Sequence, residues 1–179
     1  SDLDEMEKVI STLIEAERLN SRHEGINIER VSITDITEKL IADFFPREKH
    51  LINFKFSDGM YLNADKPRVI LMIKNLINNA LKYNADKKSM VKVDFSVTTN
   101  ATIIKVYDSG PGFTKEEAKF LGEPFYRGDP SRARHTGGTG LGLYIAMLIA
   151  KAHGGSLDLD ANYKEGACLI ILLPFEPIL

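Results

Sequence analysis

Leu3, Met6, Val9, Ile10, Leu13, Ile14, Ala16 and Leu19 recur at helical spacing, with acids and bases between them, so residues 2–22 predict an amphipathic helix. Ser1 or Asp2 can cap it, and Gly25 ends the region. The stripe is heptad-like over two to three repeats, enough to pair with one helix and short for a sustained coiled coil. It predicts a partner outside this sequence or on another chain, with packing onto its own domain as the plain alternative. Beyond Gly25 the period changes. Ile26–Val31 reads as a short strand, and Ser32 or Thr34 starts a helix over 34–45 that Pro46 ends. Leu51–Phe56 alternates, Asp58-Gly59 marks a turn, and Met60–Leu62 is expected to pair with the strand before it. A long helix follows from about Lys66 to Tyr83, with Pro67 in its first turn. Val91–Val97 and Ala101–Tyr107 are the clearest strands, joined at Thr99-Asn100. Residues 114–121 predict a short helix, and 141–152 a helix ending at His153-Gly154-Gly155. Ser156–Asp160 and Gly166–Leu173 form a last hairpin, stopped by Pro174. Strands mostly in hairpins, with helices to cover one face, give an α+β fold, a two-layer α/β sandwich preceded by one amphipathic helix.

Composition changes this picture little. The 179 residues are 44% hydrophobic and 27% charged, with net charge −2, which suits one ordinary domain with a sizeable core. So small a net charge gives no electrostatic case for nucleic acid or a membrane surface. The local basic excess is Arg127, Arg132, Arg134 and His135. The single cysteine, Cys168, lies in the apolar run Ala167–Leu173; it excludes an intrachain disulfide, fits a reducing compartment and predicts a buried strand residue. No stretch approaches the ~20 apolar residues of a membrane span, and no signal peptide opens the sequence. The start Ser1-Asp-Leu-Asp, without Met, reads as a fragment of something longer.

The candidate chemistry begins at Gly137-Gly-Thr-Gly-Leu-Gly-Leu143, where four glycines precede an apolar helix. A glycine-rich turn feeding a helix start exposes backbone N–H groups at the positive end of the helix dipole, which suits a phosphate. The Gly137–Gly142 span fits a Walker A loop, yet Leu143-Tyr144 stand where its Lys and Ser/Thr belong. A dinucleotide fingerprint needs an apolar strand before the glycines, and Ser131–Thr136 is polar and basic. By itself the run is either a phosphate turn or a flexible one.

Three further segments bear on it. The long helix carries Asn75-Leu-Ile-Asn-Asn-Ala-Leu-Lys-Tyr83, where Asn75, Asn78 and Lys82 face away from the apolar side and Asn79 stands at the boundary. Asparagine is a mediocre helix former, so three in five positions point to some other gain. An amide oxygen is a hard ligand suited to Mg2+, and Lys82 adds a cation for phosphate. A solvated polar face is the plain alternative. Asp108-Ser-Gly-Pro-Gly-Phe113 follows a strand; there a carboxylate can accept from an exocyclic amine while glycines admit a flat ring. Alone it is equally a turn. Glu123–Asp129 places aromatics and Arg127 before a polar loop.

In order and spacing these four segments resemble the catalytic ATP-binding domain of bacterial sensor histidine kinases, which share the Bergerat fold with gyrase, chaperone and mismatch-repair ATPases. The N box resembles Asn75–Tyr83, the first glycine box Asp108–Gly112, the F box Phe125–Arg127 and the second glycine box Gly138–Leu143. The likeness covers residues 26–175. It implies that Asp108 binds the adenine amino group beside a water and that Gly110 and Gly112 make room for the ring. It implies Asn79 as the protein ligand of Mg2+, Asn75 near the phosphates, and Lys82 and Tyr83 on phosphate and nucleotide. Gly138, Gly140 and Gly142, in one box with Thr139, Leu141 and Leu143, would turn the lid end and present N–H groups. Residues 128–137 would be an ATP lid, with Arg132, Arg134 and His135 as phosphate contacts and Phe125 at its entry. Arg127 would steady the transferring phosphoryl group.

Hydrolytic relatives carry a Glu general base where this sequence has Asn75. An amide cannot take a proton at neutral pH, and an imidazole acceptor needs no such help, so Asn75 favours phosphotransfer over hydrolysis. Residues 1–24 then resemble the second helix of a dimerisation and phosphotransfer hairpin whose first helix, with its acceptor His, is absent; 25–179 would be the catalytic domain. His23 lies at the helix exit, and His50 and His153 read as surface or helix-end residues. The resemblance implies a protein-histidine kinase acting on a histidine outside this chain, with a response regulator downstream and a homodimer through 2–22. It implies a cytoplasmic position, with an inner-membrane anchor open for the parent. The alternatives are a nucleotide-binding docking or regulatory module, and a serine kinase or ATP hydrolase of the same superfamily.

Overall fold

The computed structural model describes residues 2–20, 25–126 and 140–175. Its elements in chain order are α1 (Asp2–Asn20), β1 (Glu29–Ser32), α2 (Ile33–Phe44), β2 (Ile52–Lys55), β3 (Tyr61–Ala64), α3 (Lys66–Tyr83), β4 (Val91–Val97), β5 (Ala101–Tyr107), α4 (Lys115–Ala118), α5 (Gly142–Ala152), β6 (Ser156–Leu159) and β7 (Cys168–Pro174). A five-stranded sheet runs β2-β4-β5-β7-β6. β2 is parallel to β4, and every other neighbouring pair is antiparallel. Alternation along β4 buries Val91, Val93 and Phe95 and turns Lys92 and Asp94 to the opposite face. Helices α3 and α5 lie side by side over the apolar face, with α2 against α3. The core therefore interleaves Val93, Ile104, Val106 and Ile171 of the sheet with Ile73, Leu76 and Ile77 of α3 and Ile145 and Ile149 of α5. Each such side chain contributes about 1.5–3 kcal/mol by leaving water. The two-layer α/β sandwich expected from the sequence is what forms.

Local chemistry sets the helix ends. The Ser32 hydroxyl accepts from Asp35 N–H at 3.4 Å and starts α2. Asp65 caps α3, accepting from Arg68 N–H at 3.4 Å, with Pro67 in the first turn. Thr114 and Glu117 form a reciprocal capping box that starts α4, which stops at Ala118, short of the expected 121.

Two expectations need correction. β3 pairs antiparallel with β1 in a separate two-stranded ribbon, not with β2. The expected turn is present: Met60 N–H donates to Ser57 C=O at 3.2 Å, and Gly59 has φ +69°. It redirects the chain so that Val31, Leu62 and Ala64 share a buried face. Alternation states which side of a strand is buried and is silent on which strand lies beside it. β1 is also shorter than predicted, because the Asn27 N–H donates to the Asp65 carboxylate at 3.1 Å and residues 26–28 stay outside the strand.

His153, expected at the surface or a helix end, closes α5 and is 2% exposed. Its Nδ1–H donates to Ile149 C=O at 2.7 Å, and its Nε2 accepts from Asp65 N–H at 3.0 Å. Burial holds this imidazole below its ordinary pKa, in the neutral form that the acceptor role requires. α1 lies against α5 and buries Ala16, while Leu3, Met6, Ile10, Leu13 and Ile14 stay exposed.

Candidate functional site

The long helix α3 divides as its sequence predicts. Val69, Ile73, Leu76, Ile77 and Ala80 are buried, Asn78 is exposed, and Asn75, Asn79, Lys82 and Tyr83 are half-buried on the other side. Asn75 donates from Nδ2 to Leu71 C=O at 3.0 Å, an i−4 bond that orients its carboxamide. Its Oδ1 lies 3.3 Å from where a Cβ on Gly142 would stand. Glycine at 142 thus lets the start of α5 approach the N-box helix. Gly140 turns the chain into that helix with φ +73°, and Leu141, buried, gives the helix start no side-chain cap. First-turn N–H groups without a capping side chain suit an anion. No hydrogen bond engages the Asn79 side chain among the described residues, so its amide oxygen can take a cation. Lys82 Nζ lies 5.0 Å from the centre of the Tyr83 ring.

Asp108 leaves the end of β5 as a buried carboxylate, 6% exposed. Gly110 N–H donates to its Oδ1 at 2.8 Å and Ala167 N–H donates to the same oxygen at 3.0 Å. Oδ2 has no hydrogen bond among the described residues and can receive a donor from a ligand. Burial raises the pKa above the ordinary carboxylate value, and the N–H groups of Ala167 and Gly110 oppose that rise. A Cβ on Gly110 would stand 2.3 Å from Tyr83 C=O, so the loop after β5 is pressed against the last turn of α3. Gly112 has φ +71°, and its missing side chain would meet Gly166 C=O at 2.9 Å.

Two residues of this arrangement were not picked out from the sequence. Asn84, 7% exposed, ends α3 and accepts at Oδ1 from Ser109 N–H at 2.9 Å and from Ser109 Oγ–H at 3.3 Å. Gly166 lies so close to the Asp108 backbone that a Cβ would stand 2.0 Å from Asp108 C=O. An Asn after a helix signals only a stop, and a lone Gly before a strand only a turn. Neither signal says what lies across the fold.

Phe125, at the entry to the basic segment, is 54% exposed with φ +61°, and its neighbour Tyr126 stacks on Phe120 at 4.8 Å. Arg127, Arg132, Arg134, His135, Gly138 and Thr139 lie outside the described residues, as does His23. Among the described residues no cluster of three or more His, Cys, Asp or Glu could hold a metal ion, and no helix is long and apolar enough to cross a membrane.

The family model of histidine kinase-, DNA gyrase B- and HSP90-like ATPases matches residues 64–177. The sensor histidine kinase WalK of Bacillus subtilis is 28% identical over 180 residues, covering 98% of this chain and 30% of that protein. The sensor protein RstB of Escherichia coli is 32% identical over 168 residues, covering 93% of this chain and 38% of that protein. The chain thus spans about a third of the length of the curated relatives it matches. Among solved structures, full-length ShkA in complex with AMPPNP superposes with a TM-score of 0.78 at 22% identity, covering 98% of this chain and 37% of that one.

Proposed function

Because the chain belongs to the family of histidine kinase-, DNA gyrase B- and HSP90-like ATPases, we propose that it is the ATP-binding catalytic domain of a two-component sensor histidine kinase. It transfers the ATP γ-phosphoryl group to a histidine outside these residues. The observation that carries the reading is Asp108: a buried carboxylate with one oxygen tied by two backbone N–H groups and the other open to a donor. In this assignment Asp108 Oδ2 accepts from the adenine amine, and Gly110, Gly112 and Gly166 let the segments around Asp108 pack closely enough to hold its carboxylate in place. Asn79 is the protein ligand of Mg2+, whose charge would neutralise the phosphate oxygens, as befits an ion usually held by one or two protein groups plus phosphates. Lys82 and Tyr83 contact phosphate and nucleotide. Gly140, Leu141, Gly142 and Leu143 present the start of α5 to the phosphates, with Gly138 and Thr139 continuing that box. Arg132 belongs with the phosphate contacts, and Arg127 stabilises charge on the phosphoryl group in flight.

Asn75 supports transfer rather than hydrolysis. Its Nδ2 is committed to Leu71 C=O, and a carboxamide is no general base for water. In the transfer, the acceptor imidazole nitrogen bonds to the γ-phosphorus as the bond to the β–γ bridging oxygen breaks, and ADP leaves with the electron pair. The acceptor lies on a first helix that pairs with α1, in line with the α1 apolar side chains left exposed. Residues 1–24 are thus assigned to the phosphotransfer hairpin and 25–179 to the catalytic domain, acting in the cytoplasm with a response regulator as next phosphate acceptor.

The test mixes this chain with a protein carrying the acceptor helix and ATP labelled at the γ-phosphate. Label on a histidine is expected, with loss of nucleotide binding in Asn79→Ala and Asp108→Ala. Saturating ATP without labelled histidine would overturn the kinase reading, and unchanged ATP affinity in both variants would overturn the site.

A further inference from the structure

The Asn84 side chain has no duty in ending its own helix, because the backbone N–H of Asn84 already donates to Ala80 C=O at 3.0 Å. Its carboxamide is spent elsewhere. Nδ2 donates to Ser89 C=O at 2.8 Å, and Oδ1 accepts both the N–H and the hydroxyl of Ser109. Ser109 is the residue directly after Asp108, and Gly110, the next one, donates to Asp108 Oδ1. The loop cannot move closer to α3, since Gly110 already lies against Tyr83 C=O. It can only move away, and Asn84 is what holds it. Across the site the Asp108 carboxylate is held by Ala167 N–H.

We infer that Asn84 is a positioning residue for base recognition, its carboxamide fixing the Asp108 loop against the end of the helix that carries Asn75, Asn79 and Lys82. The inference rests on the nucleotide reading above. Without the Asn84 acceptor, Ser109 N–H loses its partner and the loop swings outward about the Ala167 tie, turning Oδ2 from the amine. The phosphate end of the site, built on the middle of α3 and the start of α5, keeps its geometry. Loss of Asn84 therefore weakens binding of the base and spares binding of the phosphates.

The experiment measures the dissociation constants of adenosine and of Mg2+-tripolyphosphate for the whole chain and three variants. Asn84→Leu keeps the shape and removes the hydrogen bonds, Asn84→Asp keeps an acceptor for Ser109 and removes the donor to Ser89, and Asp108→Asn is the control. Partial unfolding lowers both apparent affinities by the same factor, so their ratio reads geometry even in a destabilised variant. In Asn84→Leu the adenosine affinity should fall about tenfold relative to tripolyphosphate, and in Asn84→Asp the ratio should stay within about threefold of the parent. An unchanged ratio in Asn84→Leu overturns the inference, as does an equal fall in both Asn84 variants. If the parent binds neither probe, or Asp108→Asn keeps its adenosine affinity, the nucleotide reading itself fails, and the inference with it.

Discussion

Replacing Gly166 by alanine perturbs the base end of the site through one methyl group. The new Cβ would stand 2.0 Å from Asp108 C=O, 2.7 Å from its carbonyl carbon and 3.0 Å from its Oδ1. Ordinary contacts begin near 3.4 Å, so the segment around 166 and the end of β5 must separate by more than 1 Å. Both obstructing atoms are backbone atoms of Asp108, directly after β5, which β4 holds on its other side, so the movement cannot be absorbed by a rotamer change. The separation falls on two hydrogen bonds, Asp108 N–H to Ala167 C=O at 3.0 Å and Ala167 N–H to Asp108 Oδ1 at 3.0 Å. Losing a neutral bond costs about 1 kcal/mol, and losing one to a carboxylate about 1.5–3 kcal/mol. Crowding adds about 1–3 kcal/mol, partly in place of those losses because the bonds stretch to relieve it. A total near 3 kcal/mol is expected, a fall in Tm of about 6–12 °C. ATP affinity should drop about tenfold or more, since Asp108 loses the donor that orients its carboxylate. Differential scanning calorimetry and isothermal titration with ATP read the two effects. A Tm within 1–2 °C of the parent with unchanged ATP affinity would refute the claim that Gly166 is kept small by the Asp108 backbone.

The raised pKa of Asp108 gives ATP binding a pH signature, because the adenine amine needs the ionised form: affinity should fall on acidification earlier than an ordinary carboxylate would dictate, and Asp108→Asn should bind weakly with a flat acid limb in the same titration. The sign for stability is opposite, since burial penalises the charged carboxylate and protonation through its folded pKa relieves that penalty. His153 acts the other way: the unfolded chain takes up a proton below the ordinary 6.5 while the folded imidazole stays neutral. Urea-derived stability should therefore fall as pH drops from about 6.5 towards the folded pKa, by up to about 1.4 kcal/mol per pH unit, and His153→Gln should lack that component of the slope. Ile10 is 53% exposed on α1, so Ile10→Glu should change monomer stability by no more than about 0.5 kcal/mol while lowering self-association in sedimentation equilibrium; unchanged association would remove α1 from the dimerisation assignment.

Hydrophobic period, with Pro67 marking the first turn, located α3, and period located both strands of the β4–β5 hairpin and the burial of Cys168, because a half-buried helix or strand writes its own geometry into the spacing of its apolar residues. The N box and the start of α5 were legible for the same reason: polar and glycine positions that break an element's local preference stand out within one segment. The partner of β3 was not legible, since alternation carries no information about which edge a strand meets. Nor was the internal role of His153, whose Nε2 joins the end of α5 to Asp65 at the start of α3, 88 residues away. Asn84 and Gly166 are the clearest cases. Each is an ordinary punctuation residue in its own segment, and each becomes specific only when folding brings Ser109 or the Asp108 backbone against it. Local sequence fixed which groups could do chemistry; the packing of β5 between α3 and the start of β7 decided which oxygen of Asp108 is held and which is left open.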